Sequence, residues 1–142
     1  MTPAGAVAVL HSFCALASCA DGQQPMGLVQ GTDGILYGTT QAGGGNGMNC
    51  GSCGTIYSVS LGLSPFIKAL PTTGKEGQNI NILGQGFTGA STVSFNGLSA
   101  AFTVQSDTHL TAIVPAGATS GIVTVIMPSG PLATLVAFQV KP

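Results

Sequence analysis

The chain contains no arginine and no tryptophan, and only three lysines and four acidic residues among its 142 positions. Charged residues make up 5% of it, against roughly 25% in an ordinary globular domain. A net charge of −1 without arginine cannot neutralise a phosphate backbone, which argues against a nucleic-acid partner. No apolar run reaches the ~18 residues that read as a membrane-spanning helix. Met1 to Leu10 carry no basic residue, so this stretch does not read as an ordinary secretion signal. No helical stripe of period 3.6 is bounded by caps. Paired carboxylates, HExxH and a phosphate-cradling GxxxxGK[ST] are all missing. With 44% hydrophobic residues, the chain is also far from the composition of a disordered segment.

What is present is β-forming. Short runs rich in Val, Ile, Phe and Thr alternate with Gly, Pro, Asn and Asp, the pattern of an all-β protein. The expected strands are Val7–Phe13, Met26–Gln30, Ile35–Thr40, Thr55–Ser60, Gln78–Leu83, Thr92–Asn96, Leu98–Val104, Leu110–Val114, Gly121–Met127 and Leu132–Val140. Asp33-Gly34 and Asn96-Gly97 are dipeptides that tolerate the positive φ of a type I′ hairpin turn. All four cysteines and the glycine-rich loop Gly43–Gly54 precede Ser64-Pro65. That composition change places a linker at Leu61–Lys68 and a domain boundary between residues 63 and 64. The expected domains are 1–63 and 64–142.

In the second domain, alternation points Ile80, Ile82, Val93, Phe95, Phe102, Val104, Leu110, Ala112, Val114, Val123, Val125, Met127, Val136, Phe138 and Val140 inward. It leaves Ile113, Ile122, Ile126 and Leu135 outward, where a solvated sheet should carry polar groups. These four, with Val7 and Val9 of the uncharged first strand, are candidates for self-association.

Cys14 and Cys19, and Cys50 and Cys53, favour two local disulfides in a secreted protein. Sequence leaves crossed pairing and a four-thiolate zinc site open, but nothing in the fold requires a metal, and the expectation is no metal and no cofactor. Asp21 and Asp33 are isolated acids and make a poor calcium cage. Ser106-Asp107-Thr108-His109 contains the residue types of a hydrolytic set, yet neighbours in sequence rarely converge on one proton path, so no catalytic residue is assigned. Tyr37 and Tyr57 are the candidates for a glycan- or protein-binding face.

Two resemblances sharpen the reading. Leu70-Pro71-Thr72-Thr73-Gly74, Gly77 through Phe87, Val93-Ser94-Phe95-Asn96-Gly97, Val114-Pro115-Ala116-Gly117-Ala118 and Phe138-Gln139-Val140 resemble the IPT/TIG immunoglobulin-like family over about Pro65 to Lys141. This implies a small antiparallel sandwich. Val9-Leu10-His11-Ser12-Phe13, Asp21-Gly22, Pro25, Leu28 through Thr40, Gly43-Gly44 and Gly54 through Val59 resemble one copy of the GloVer tandem repeat of bacterial secreted and surface proteins. This implies a blade-like sheet of about four strands. A lone blade has two open edges and is too small to bury a core. The expectation is therefore a non-enzymatic extracellular or cell-surface structural protein that associates with copies of itself, as a filament or surface layer. The alternative is a binding module for a glycan or a surface protein.

Overall fold

A computed structural model describes Gly5, residues 7–45 and residues 53–142. The chain divides into two compact units, residues 1–30 with 36–60, and residues 31–35 with 61–142. Thirteen strands and one 3₁₀ turn, Ala17–Cys19, make up the regular structure of the described residues. The fold is all-β.

The first unit holds a three-stranded antiparallel sheet in the order β1–β2–β3, with β1 at Gln23–Gln30, β2 at Leu36–Ala42 and β3 at Ile56–Val59. Register places Leu28 opposite Gly38 and Gly38 opposite Tyr57; Val29 faces Tyr37, which faces Ser58. A bulge between Pro25 and Leu28 interrupts β1, consistent with a proline that cannot donate to a ladder.

Three expectations for this region are corrected. Residues 7–13 form no strand, because no strand among the described residues pairs with their backbone. The sheet accordingly has three strands among the described residues, not four. Asp33-Gly34 is not a two-residue hairpin turn. Residues 31–35 join β1 to β2, the Asp33 carboxylate accepts the Ile35 N–H at 2.9 Å, and only Gly34 of the pair has positive φ. The side chain of Asp33 thus closes a local turn in place of a tight hairpin.

The second unit is a β-sandwich. One sheet runs β4–β6–β10–β9, with β4 at Lys68–Leu70, β6 at Asn79–Leu83, β9 at Phe102–Ser106 and β10 at His109–Ile113. The other runs β12–β11–β7–β8, with β7 at Thr92–Phe95, β8 at Leu98–Ala100, β11 at Val123–Met127 and β12 at Gly130–Ala133. A short parallel pair joins β5, Thr73–Gly74, to β13, Gln139–Val140. The inward residues of both sheets form one core that includes Ile67, Ile80, Ile82, Phe87, Val93, Phe95, Leu110, Val114, Val123, Val125 and Phe138. Phe95 and Phe138 meet edge-to-face with centroids 5.1 Å apart, a favoured aromatic arrangement. Asn96 and Gly97 both have positive φ between Phe95 and its partner Leu98, as the hairpin reading of that dipeptide expects.

Other boundaries move. The single expected strand Leu98–Val104 divides into β8 and β9, which lie in different sheets. Leu132–Val140 likewise divides: the Thr134 N–H donates to the Val123 carbonyl and the Thr134 hydroxyl accepts the Val123 N–H, and the chain then crosses to pair with β5. Val136 sits in that crossing and is exposed instead of inward, and Val104 on edge strand β9 is also exposed. The expected linker Leu61–Lys68 ends in structure: Ile67 is buried and Lys68 opens β4.

Candidate functional site

The first unit is unusual in what it does not bury. Among its described residues, the buried ones are glycines and Thr40, and none of its larger apolar side chains is buried. Val7, Val9, Leu10, Leu28, Val29 and Ile56 are all exposed.

Hydrogen bonds and glycine contacts order this unit instead. The Thr40 hydroxyl donates to the Ala42 carbonyl at 2.9 Å and accepts the Thr55 N–H at 2.8 Å. Its one proton is thereby committed, so the Thr55 hydroxyl donates to it across 2.9 Å. Cys14 and Cys19 are disulfide-bonded, and the Cys14 N–H donates to the Gly22 carbonyl at 2.8 Å. Inside that loop Asp21 accepts the N–H groups of Ala15 at 3.1 Å and Leu16 at 3.2 Å, and its carboxylate lies 3.1 Å from His11 Nε2. Burial pulls the Asp21 carboxyl upward, but the amides of Ala15, Leu16 and Asp21 itself, with His11, outweigh it and hold it below the ordinary carboxylate value.

From this base an aromatic row runs onto the sheet. His11 meets Phe13 at 4.9 Å and Phe13 meets Tyr57 at 4.8 Å between centroids, both edge-to-face. Beside the row lies a groove of about 830 Å³ lined by Val9, His11, Phe13, Asp21, Leu28 and residues Ile56–Ser60, among others. It is mostly apolar, with one carboxylate and one imidazole already engaged with each other.

The residues singled out by sequence do not form one surface. Tyr57 lies on the sheet face carrying Gly38, whereas Tyr37 lies on the opposite face with Ser58; the two tyrosines cannot make a shared platform. Val7 and Val9 are exposed but stand outside any strand. Ile113, Ile122, Ile126 and Leu135 are exposed, yet Ile113 is on β10 of one sheet and Ile126 on β11 of the other. Disulfide-bonded Cys14 and Cys19 offer no thiolates to a metal. Cys53 is also disulfide-bonded; Cys50, the other half of the second expected pair, lies outside the described residues. Among the described residues no cluster of three or more His, Cys, Asp or Glu could hold a metal.

The Ser106–His109 segment diverges. The Asp107 carboxylate accepts the N–H groups of Gly86 at 3.2 Å and Thr88 at 3.1 Å, while His109 Nε2 pairs with Asn81 Oδ1 at 3.0 Å. The Thr88 hydroxyl and the Thr88 and Gly86 amides hold Asp107 below its ordinary value, against an upward pull from burial. This acid clamps the Gly86–Thr88 loop, which carries buried Phe87 into the core. Sequence gave no alternation signal for Phe87, since it sits in a loop.

The family model described as the IPT/TIG domain matches residues 65–140. The chain belongs to the IPT/TIG family. That match covers the sandwich of the second unit. Among solved structures, the chain is similar to an auxiliary nutrient binding protein from Bacteroides ovatus, with 23% identity over 52% of this chain and 20% of that one and a TM-score of 0.47. It is also similar to a phosphatase candidate from Bacteroides thetaiotaomicron, with 22% identity over 54% of this chain and 18% of that one and a TM-score of 0.46. The IPT/TIG chain thus spans about a fifth of each of those chains. No curated protein matches it. Among the described residues no helix is long and apolar enough to cross a membrane.

Proposed function

We propose that this IPT/TIG protein is a non-enzymatic structural module of the extracellular space or cell surface, which self-associates through the first unit. In this reading residues 1–63 are a GloVer-type blade and residues 64–142 a sandwich domain. One observation carries it: the first unit buries none of its described large apolar side chains and leaves Val7, Val9, Leu10, Leu28, Val29 and Ile56 exposed, with β1 and β3 each bonded to β2 alone among the described strands. A sheet with open edges and no apolar core gains most by docking onto another β-unit. The Cys14–Cys19 disulfide supports an oxidising compartment. The divergence of Asp107 and His109 supports a role without catalysis.

Light scattering over a concentration series, with negative-stain microscopy of the same samples, tests this reading. Mass that rises with concentration toward regular oligomers or fibres is expected; a monomer at every concentration overturns it. A second reading, a glycan- or protein-binding module, is favoured by the aromatic row beside the groove. It requires saturable binding to a polysaccharide or surface protein that Tyr57→Ala abolishes and Tyr37→Ala leaves intact.

A further inference from the structure

The self-association reading does not say which backbone meets which, and the first unit contains both halves of a β-pairing. One half is a donor. Residues 7–12 form no strand, and Val7, Val9 and Leu10 are 75%, 76% and 69% exposed. The segment has no proline, no lysine and no acid, the devices that normally keep a strand-forming stretch from pairing with another chain. The other half is an acceptor. Among the described strands β3 is bonded to β2 on one side only, its Ile56 is 83% exposed, and the groove of about 830 Å³ runs past residues Ile56–Ser60.

The donor of the same molecule lies near this edge, since Ala8–Leu10 also line the groove, but it does not pair with it. The reason lies at the donor's root. Phe13 is packed on the Tyr57 ring, and that ring in turn lies over Gly38 of the middle strand. The root therefore sits above the face of the sheet, out of the plane in which a fourth strand must run. The Cys14 N–H bond to Gly22 and the Cys14–Cys19 disulfide fix it there.

We propose that residues 7–12 of one molecule pair as a fourth strand along the free edge of β3 in a second copy of this chain. The proposal rests on the self-association reading and names its contact. A second copy fits because each chain supplies one donor and one edge, because both are strand-length, and because a net charge of −1 sets up little repulsion between copies. Reciprocal exchange closes a two-fold dimer; head-to-tail exchange extends a filament.

The test uses the full chain and two proline variants, Val9→Pro and Leu10→Pro. Consecutive residues of an edge strand point their N–H groups alternately toward and away from the neighbour, so one of the two removes a ladder bond whatever the register. Both positions are exposed, and circular dichroism of each variant checks that the sheet persists. One variant is expected to weaken self-association roughly tenfold or more, as loss of a ladder bond and a local break would, while the other has a smaller effect. In parallel, an equal mixture of ¹⁵N-labelled and unlabelled wild type is cross-linked with a non-specific photoreactive reagent and digested. Heavy–light peptide pairs joining residues 7–12 to residues 56–60 are expected. Self-association as strong in both proline variants as in the wild type, or cross-links between these segments only within one isotope, overturns the strand pairing and leaves self-association standing. A wild type that stays monomeric overturns the self-association reading itself.

Discussion

The ring of Tyr57 lies across Gly38: a β-carbon on Gly38 would stand 2.6 Å from Cζ and 2.6 Å from Oη of that ring, and 2.9 Å from a methyl of Leu28. The glycine of the middle strand is therefore the floor on which Tyr57 rests, and Tyr57 is the surface on which Phe13 rests. Gly38→Ala must lift the ring. The expected cost is about 1–3 kcal/mol, the usual range for overpacking, with a change in the near-ultraviolet tyrosine signal that unfolding of the second unit does not produce. Thermal unfolding followed in the near ultraviolet checks it, and a variant with unchanged signal and midpoint refutes this account of the sheet.

Thr40 provides a second anchor. Its hydroxyl makes three hydrogen bonds, to Ala42, the Thr55 N–H and the Thr55 hydroxyl. Thr40→Val keeps the shape and removes all three, leaving polar groups unsatisfied at a buried position, for an expected loss of about 1–3 kcal/mol. Thr40→Ser retains the hydroxyl and should lose less than half as much. A loss in Thr40→Ser as large as that in Thr40→Val, read from denaturant titrations, would show that the methyl contributes as much as the hydroxyl and refute this ranking.

Much of the second unit was legible in the sequence because alternation and turn chemistry agree there. Val123, Val125 and Met127 alternate inward as expected, and Asn96-Gly97 closes its hairpin because both residues accept positive φ. The failures occur where a single residue decides between sheets. Val136 looks like the next inward position of a continuous strand, and only the two bonds between Thr134 and Val123 reveal that the ladder ends before it. In the first unit, Tyr37 and Tyr57 fall on opposite faces because Tyr37 is in register with Ser58. The connection between β2 and β3 is long and glycine-rich, so no turn type fixed that register in advance. The unpaired, exposed state of residues 7–12 was not legible either: their composition is that of a strand, and whether a strand forms depends on a partner.

Acid should act on both units through their carboxylates. Asp21 and Asp107 are each held below the ordinary carboxylate value in the folded state. A depressed carboxyl contributes stability that is fully present above the unfolded value of about 3.9 and is lost as pH falls through the folded value. Stability should therefore be flat from neutral pH down to about 5 and fall below about 3.9. Asp107→Asn should lower stability at pH 7 and make the acid decline of the second unit shallower. Denaturant midpoints measured from pH 7 to pH 2 check this, and a decline as steep as wild type would exclude Asp107 from it.

The aromatic pair in the sandwich sets the largest single effect. Phe95 and Phe138 are both about 1% exposed, and they join β7 of one sheet to the segment leading into β13, so each ring spans the core and not merely its own strand. Phe138→Ala empties a site that the surrounding strands cannot collapse into, because β13 is pinned by the Gln139 N–H bond to Thr72 and the Lys141 N–H bond to Gly74, both 2.8–2.9 Å long. The expected loss is about 3–5 kcal/mol, enough to unfold the sandwich of a marginal domain at 37 °C. Phe138→Leu keeps most of the volume and should lose less, while giving up the edge-to-face contact with Phe95. If the first unit is ordered by its own hydrogen bonds, its near-ultraviolet tyrosine signal persists in Phe138→Ala after the sandwich has melted. Simultaneous loss of both signals would mean that the first unit depends on the sandwich.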